Sequence, residues 1–259
     1  MQVQVLASGS KGNSILVEMG NTRILVDAGI SARRIERGLE QVGIKASELD
    51  ALLITHEHSD HIKGVEVLAR RHSLPVYTRP LTWEGLGCRN RLPLHLQKEI
   101  SQEMSIGDIK VIPFNTSHDA ADPVGYCFHF QEFKWVIATD LGMVTDGVRT
   151  ALEDADLLIL EANHDMQMLN DGPYPEFLKK RIRSNVGHLS NNEAAKVLAS
   201  VSLKPQTNVF LAHLSQTNNS PHLAHNTVQE FLKQKGYNIG QDIILNHTFQ
   251  DGISGLAQS

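Results

Sequence analysis

Short apolar runs recur along the chain, and many of them end at a histidine or a carboxylate. Residues 3–6 alternate apolar and polar side chains, as a half-buried strand does. Apolar runs at 157–160 and 209–212 predict strands over 156–160 and 208–212. Helical spacing follows other runs, as at 31–42 and 61–72. Strands that alternate with helices in this way predict an α/β chain.

The most informative of these run ends is the segment 55–61, which contains three histidines and an aspartate. Residues two apart on an extended segment point the same way, so His56 and His58 can face one metal ion. Asp60 and His61 come after the turn and can face a second ion. Imidazole and carboxylate are ligands that zinc and manganese accept, so we interpret the segment as a metal site rather than a chance histidine cluster.

The same pattern, an apolar strand with a His or Asp at or just beyond its end, recurs at four later positions. These are His118, Asp140, His164 and His213. Strand ends at one edge of a sheet are where α/β folds gather functional groups. The repetition therefore favours a functional edge over plain scaffolding.

Two other strand ends allow two interpretations each. The small residues 8–14 suit either a plain hairpin loop or a nest of backbone amides that binds an anion, with Lys11 adding charge. Asp27 either caps the helix at 31–42 or accepts hydrogen bonds from the histidine segment and holds it in place. The segment 80–96 has no clear period and is interpreted as a surface connection or a mobile loop.

Composition narrows the class of protein. The 259 residues suit one large domain or two small ones, and we predict one domain over 1–259. The net charge of −5 argues mildly against a protein that coats nucleic acid but does not exclude a nuclease. No signal peptide or long apolar stretch is present, so we expect a cytoplasmic protein without a membrane span. Cys88 and Cys127 lack a Cys-x-x-Cys pattern, and both are expected to be reduced packing residues.

The motif His56, His58, Asp60, His61 resembles the central motif of the metallo-β-lactamase superfamily, and the resemblance covers nearly the whole chain. It implies an αββα sandwich of two mixed β-sheets flanked by helices. It also implies two divalent metal ions, zinc or manganese with iron possible. The implied ligands are His56, His58 and His118 for one ion, Asp60, His61 and His213 for the other, and Asp140 as the bridge.

Within that superfamily, the segments 8–14, 161–165, 187–190 and 213–221 resemble the YycJ/WalJ nuclease group. Members of that group are metal-dependent nucleases that act as 5′-to-3′ exonucleases on double-stranded DNA. The resemblance implies a DNA substrate and a phosphodiester attacked by a water-derived nucleophile between the ions. The main alternative is a small-molecule or cyclic-nucleotide phosphodiesterase of the same fold, and a non-enzymatic alternative is a metal-stabilised binding module.

Three residues are candidates for catalysis itself. Asp60 is expected to orient the nucleophile. His188 follows the densest basic run, 179–183, and is expected to act as general acid or to contact a phosphate, unless it only caps the next helix beside Ser190. His164 is expected either to contact the scissile phosphate or to orient a ligand.

Overall fold

The computed structural model describes residues 1–100 and 102–257. In this part of the chain the strands are β1 Gln2–Ala7, β2 Ser14–Met19, β3 Thr22–Val26, β4 Ala51–Leu53, β5 Val76–Thr78, β6 Gln97–Glu99, β7 Met104–Ile106, β8 Ile109–Asn115, β9 Val124–Phe130, β10 Phe133–Ala138, β11 Leu157–Glu161, β12 Thr207–Ala212, β13 Ile243–His247 and β14 Ser254–Ala257. The α-helices are α1 Ala32–Gln41, α2 Ser59–Ile62, α3 Val65–His72, α4 Pro80–Gly85, α5 Asp146–Leu152, α6 Met166–Asp171, α7 Glu176–Ile182, α8 Asn191–Leu198 and α9 Pro221–Gln234.

The chain divides into two compact units. The first comprises Met1–Pro113, Ala120–Val124 and Gln250–Ser259, and the second comprises Phe114–Asp119 and Gly125–Phe249. The single domain over 1–259 stays a prediction. None of the helices in the described part of the chain combines the length and the hydropathy of a membrane span.

The first sheet has the strand order β14-β1-β2-β3-β4-β5-β6. Strands β14, β1, β2 and β3 pair antiparallel, whereas β3, β4, β5 and β6 pair parallel. Because Val26 of β3 is in register with Leu53 of β4, these two strands end at the same edge of the sheet. This register places Asp27 beside the histidine segment that follows β4.

The second sheet has the strand order β13-β12-β11-β10-β9-β8-β7. Strands β10 to β13 pair parallel, and β9 pairs antiparallel with β10. Ala138 is in register with Leu160, and Glu161 with Ala212, so β10, β11 and β12 deliver their following residues to one edge. Two mixed sheets flanked by helices confirm the predicted fold class.

Each unit has an apolar interior of its own. In the first unit, α1 buries Ile35 and Leu39 in a cluster that also contains the fully buried Trp83. In the second unit, the largest fully buried side chains include Trp135 of β10 and Phe210 of β12. Burial of side chains of this size is the main source of stability, because it removes the most apolar surface from water.

Several helix boundaries differ from the predicted ones. The helix predicted at 61–72 is two helices, because the chain breaks at Gly64, whose added Cβ would lie 2.5 Å from the carbonyl oxygen of Ile30. The segment 80–96 is no featureless loop: it contains α4 and two short 3-10 turns at Arg89–Arg91 and Leu94–Leu96.

The amide-nest interpretation of residues 8–14 is wrong. The N–H of Gly9 donates to the Asn13 side chain at 2.8 Å, and the N–H of Gly12 donates to the Gly9 carbonyl at 3.0 Å. The N–H of Asn13 donates to the carbonyl of Asp60 at 2.8 Å. These amides are already used inside the first unit, so this loop offers an anion the Lys11 side chain rather than its backbone.

Candidate metal centre

In the first unit the predicted histidine ligands pack together after β4. The ring centroid of His56 lies 4.6 Å from that of His58 and 4.1 Å from that of His61. His56 and His61 are buried. Helix α2 starts at Ser59 and carries Asp60, whose Oδ2 lies 3.5 Å from Nε2 of His61.

Asp27 holds this segment in place, which favours the second interpretation of that residue. Its carboxylate accepts hydrogen bonds from the N–H and the hydroxyl of Thr55, both at 2.9 Å, and from Nδ1 of His61 at 2.7 Å. Since the Thr55 hydroxyl donates to Asp27, its oxygen accepts from Nδ1 of His56 at 3.0 Å. Both imidazoles therefore carry their lone pair on Nε2, the arrangement of histidines that bind metals.

In the second unit, Asp140, Glu161, His188 and His213 each bring one ligand atom within 4.8 Å of the others. His118 joins this group, because its Nε2 lies 3.5 Å from Oδ1 of Asp140. Nδ1 of His118 donates to the carbonyl of Gly187 at 3.1 Å, so this ring also carries its lone pair on Nε2.

Glu161 is the centre of this second group. Its Oε1 accepts hydrogen bonds from Nδ1 of His188 and of His213, both at 2.8 Å. Its Oε2 accepts from the backbone N–H of Leu141 at 2.8 Å and of Leu189 at 3.1 Å. One buried carboxylate thus holds two histidines and the turns that follow Asp140 and His188.

Burial raises the pKa of Glu161, but the charge of His188 and the hydrogen bonds from His188 and His213 outweigh it. The pKa is lowered from 4.5 to about 2, so Glu161 is ionised at neutral pH. Burial is also the main cause that lowers the pKa of His118, which keeps this imidazole neutral and able to coordinate a cation.

Sequence reasoning assigned no role to Glu161. The signal was present, since an acidic residue directly follows the apolar run 157–160. A carboxylate at the end of a buried strand needs partners, and histidines at the ends of neighbouring strands supply them.

Three residues at these strand ends have left-handed backbone angles: φ is 60° at Asp27, 58° at Asp140 and 56° at His213. Each such conformation costs on the order of 1–3 kcal/mol outside glycine and is concentrated at functional sites. The positive φ turns the chain sharply where the strand ends and leaves the side chain at the sheet edge.

His188 is half-buried and does not cap α8. The cap is Ser190, whose Oγ accepts the N–H of Glu193 at 3.3 Å, while the Glu193 carboxylate accepts the N–H of Ser190 at 2.7 Å. The alternative role suggested for His188 is therefore already filled.

His164 is buried, and its backbone carbonyl accepts the N–H of Asn191 at 2.9 Å. Neither of its ring nitrogens has a hydrogen-bond partner within residues 1–100 and 102–257. Burial lowers its pKa to about 4, so the ring is neutral at pH 7. The catalytic role of His164 stays a prediction.

The donor set in each unit fits a divalent cation. The rings of His56, His61, His118 and His213 are oriented through Nδ1, so that Nε2 is the coordinating atom. Carboxylates of Asp60 and Asp140 stand next to these rings. Such an N and O donor set is typical of zinc and manganese sites.

Comparison with known proteins identifies the class. A family model described as a beta-lactamase superfamily domain matches residues 22–214. The chain therefore belongs to the metallo-β-lactamase superfamily. Together with its exodeoxyribonuclease relatives, this membership identifies it as a metal-dependent hydrolase.

Two relatives are similar over almost their full length. The chain is 39% identical over 252 residues to "Exodeoxyribonuclease YycJ" of Bacillus anthracis, covering 96% of this chain and 95% of the relative. It is 38% identical over 260 residues to "Exodeoxyribonuclease WalJ" of Streptococcus pneumoniae serotype 2 strain D39, covering 98% and 96%. The resemblance to the YycJ/WalJ group is therefore confirmed.

A solved structure supports the fold independently. Zn(2+)-bound PqqB from Methylobacterium extorquens matches with a TM-score of 0.74, 15% identity and complete coverage of both chains. At this identity the likeness concerns the fold alone.

Proposed function

We propose that the protein is a dinuclear metal-dependent exonuclease that degrades double-stranded DNA in the 5′-to-3′ direction. The observation that carries this proposal is the similarity to two exodeoxyribonucleases at 39% and 38% identity over nearly the whole chain. The ordered imidazoles and carboxylates at the strand ends provide the matching chemistry. We further propose that it acts as a single functional domain in the cytoplasm and contributes to DNA repair.

The proposed ligands are the residues that match the superfamily motif. They are His56, His58 and His118 for one ion, Asp60, His61 and His213 for the other, and Asp140 shared by both, with zinc or manganese as the metal. The hydrogen bonds that orient the rings of His56, His61, His118 and His213 within each unit support this assignment. When bound, such ions polarise the phosphoryl group and lower the pKa of water.

The chain's own groups supply the remaining steps. Asp60 orients the attacking water towards phosphorus. Oε1 of Glu161 accepts a hydrogen bond from Nδ1 of His188 at 2.8 Å, which fixes the orientation of the ring. His188 then donates its Nε2 proton to the leaving alkoxide oxygen. His164 contacts the scissile phosphate or orients a ligand.

The test is a cleavage time course on linear duplex DNA labelled at the 5′ or the 3′ end, with metal-stripped protein reloaded with Mn²⁺ or Zn²⁺. Bis-p-nitrophenyl phosphate serves as a parallel substrate. Early release of the 5′ label in short products supports a 5′ exonuclease. Hydrolysis of the small diester alone overturns the DNA assignment and supports the small-molecule phosphodiesterase.

Matched histidine variants link the activity to the site. His118→Asn should abolish cleavage, because it removes a proposed ligand. His95→Asn changes an exposed histidine in the 3-10 turn Leu94–Leu96 and should cleave like the unmodified protein.

A further inference from the structure

A cavity of about 840 Å³ opens in the first unit beside Asp60. Its wall carries four cations and two carboxylates, namely Lys11, Arg34, Lys63, Arg91, Asp60 and Glu66. The wall is therefore net positive although the whole chain carries a net charge of −5. The volume lies within the range of about 300–1,000 Å³ that is typical of ligand sites.

Two of these cations are held by carboxylates. Nε of Arg91 donates to Glu66 at 2.6 Å, and Nη2 of Arg34 donates to Asp251 at 2.8 Å. These pairs fix the arginines in the wall but neutralise most of their charge. They leave the net charge of the cavity to the two lysines, set against the one carboxylate of Asp60.

Lys11 and Lys63 differ from the arginines, since neither ammonium group has an ion-pair partner in the described residues. Lys63 directly follows α2, three residues after Asp60. Lys11 lies in the loop between β1 and β2, where its backbone N–H donates to the Gln250 side chain at 3.0 Å. Both positive charges therefore reach one cavity, that of Lys11 from an anchored loop and that of Lys63 from the end of helix α2.

Close packing keeps the Lys11 loop in place. Gly12 has a φ of 148°, and a Cβ there would lie 2.5 Å from the carbonyl oxygen of Gly29. The Gly12 carbonyl also accepts a hydrogen bond from Nε2 of Gln250 at 3.1 Å. A loop fixed in this way presents its lysine at a constant position, which lowers the entropic cost of binding.

We propose that this cavity binds backbone phosphates of the DNA strand being degraded, and that Lys11 and Lys63 are the phosphate contacts. The proposal rests on the proposed exonuclease function and adds a substrate-binding surface to it. Ammonium groups bind phosphates as point charges and read no base sequence. Contacts of this kind suit an enzyme that moves along a strand irrespective of sequence. Their position beside Asp60 places them next to a proposed metal ligand.

The test is the double variant Lys11→Gln/Lys63→Gln, compared with Lys196→Gln/Lys233→Gln. The control pair removes the same charge from exposed positions in α8 and α9. Helix α9 connects the parallel strands β12 and β13, so its end at Lys233 lies opposite the strand ends that carry His213. Binding of a short phosphorothioate duplex to the metal-loaded proteins is measured by fluorescence anisotropy at several salt concentrations.

The cavity variant should bind the duplex more weakly at low salt. The slope of log K against log salt is negative and should become less steep by about 1.8, since each lost phosphate contact removes about 0.9 from its magnitude. The control pair should keep the slope of the unmodified protein. An unchanged slope in the cavity variant overturns the proposal.

Free deoxynucleoside monophosphate is a second source of phosphate, so a separate arm of the experiment measures how strongly it inhibits cleavage by each protein. If the cavity variant loses only its inhibition by the monophosphate and keeps duplex binding, the cavity is a nucleotide site and the proposal is wrong. If the unmodified protein cleaves DNA and the slope does not change, this proposal alone fails. If the unmodified protein neither binds nor cleaves DNA, the exonuclease function fails instead.

Discussion

Oε1 of Glu161 lies 2.8 Å from Nδ1 of His188, and the same oxygen lies 2.8 Å from Nδ1 of His213. The two histidines have different proposed roles, one as proton donor and one as metal ligand. A single ionised carboxylate therefore orients both the proposed acid and a proposed metal ligand. We therefore expect Glu161 to act as a positioning residue whose loss affects both proposed functions.

Glu161→Gln should lower metal affinity and cleavage together. The amide keeps the shape of the side chain but loses the negative charge that accepts hydrogen bonds from Nδ1 of His188 and His213. We therefore expect metal affinity to fall about 10- to 100-fold. Metal content by mass spectrometry and kcat on labelled duplex DNA check this. Glu230→Gln, an exposed position on α9, is the control. Unchanged metal content and unchanged kcat in Glu161→Gln would contradict the positioning role.

His188→Asn and His213→Asn should separate the two roles. Loss of the proton donor His188 should lower kcat by about 10²- to 10⁴-fold with full metal content. Loss of the ligand His213 should lower activity and remove metal as well. Metal stoichiometry and kcat are measured on both variants. If His188→Asn loses as much metal as His213→Asn, His188 is a ligand and the proton-donor role is wrong.

Local spacing was enough to predict that the side chains of the first-unit cluster lie together, while their role as metal ligands stays a prediction. His56, His58, Asp60 and His61 lie within six residues, and the turn between a strand and a helix brings them together without long-range information. The holding role of Asp27 could only be offered as one of two interpretations, because it depends on the pairing of β3 with β4. Register between strands is set by tertiary packing rather than by local sequence.

The role of Glu161 shows the same limit more strongly. Its partners His188 and His213 are 27 and 52 residues away, so they meet only because β11 pairs with β12 and because the loop before α8 returns to the strand edge. The missed helix α4 has a different cause. Helix α4 is short and begins at Pro80, a residue that also fits a loop. Trp83 is buried in it, but no periodic apolar stripe surrounds Trp83 to indicate a helix.

Gly29→Ala should disrupt the Asp60 segment. A Cβ at Gly29 would lie 1.6 Å from the carbonyl oxygen of Asp60, which the backbone must move to avoid. We expect a loss of about 1–3 kcal/mol in the free energy of unfolding and a lower metal content. Chemical denaturation and metal analysis provide the measurements.

Gly147→Ala is the matched control, since its Cβ would approach only Thr145 Oγ1, at 3.8 Å. This substitution lies in α5 and should stabilise the protein by about 0.5–1 kcal/mol, because glycine is unfavourable within a helix. If Gly29→Ala keeps both full stability and full metal content, the close approach of Gly29 to Asp60 does not constrain the site.

Cys127 should be almost inert as a thiol. Burial raises its pKa from 9.0 to about 11, so the thiolate is strongly disfavoured in the folded state. At pH 8 the folded protein should react with iodoacetamide about 100-fold more slowly at this position than the unfolded chain, since the thiolate is the nucleophile. The rate is measured by mass spectrometry on Cys88→Ala, which leaves Cys127 as the one thiol of the sequence.

The same shift contributes to the dependence of stability on pH in alkaline solution. Because the folded-state pKa of Cys127 lies above its unfolded value, the contribution to stability is complete below pH 9 and is lost as the pH rises towards 11. Cys127→Ala should therefore lose less stability over this interval than the parent, as measured by urea denaturation at successive pH values. Equal losses in the two proteins, together with rapid labelling of the folded parent, would show that the thiol is not held in its protonated form.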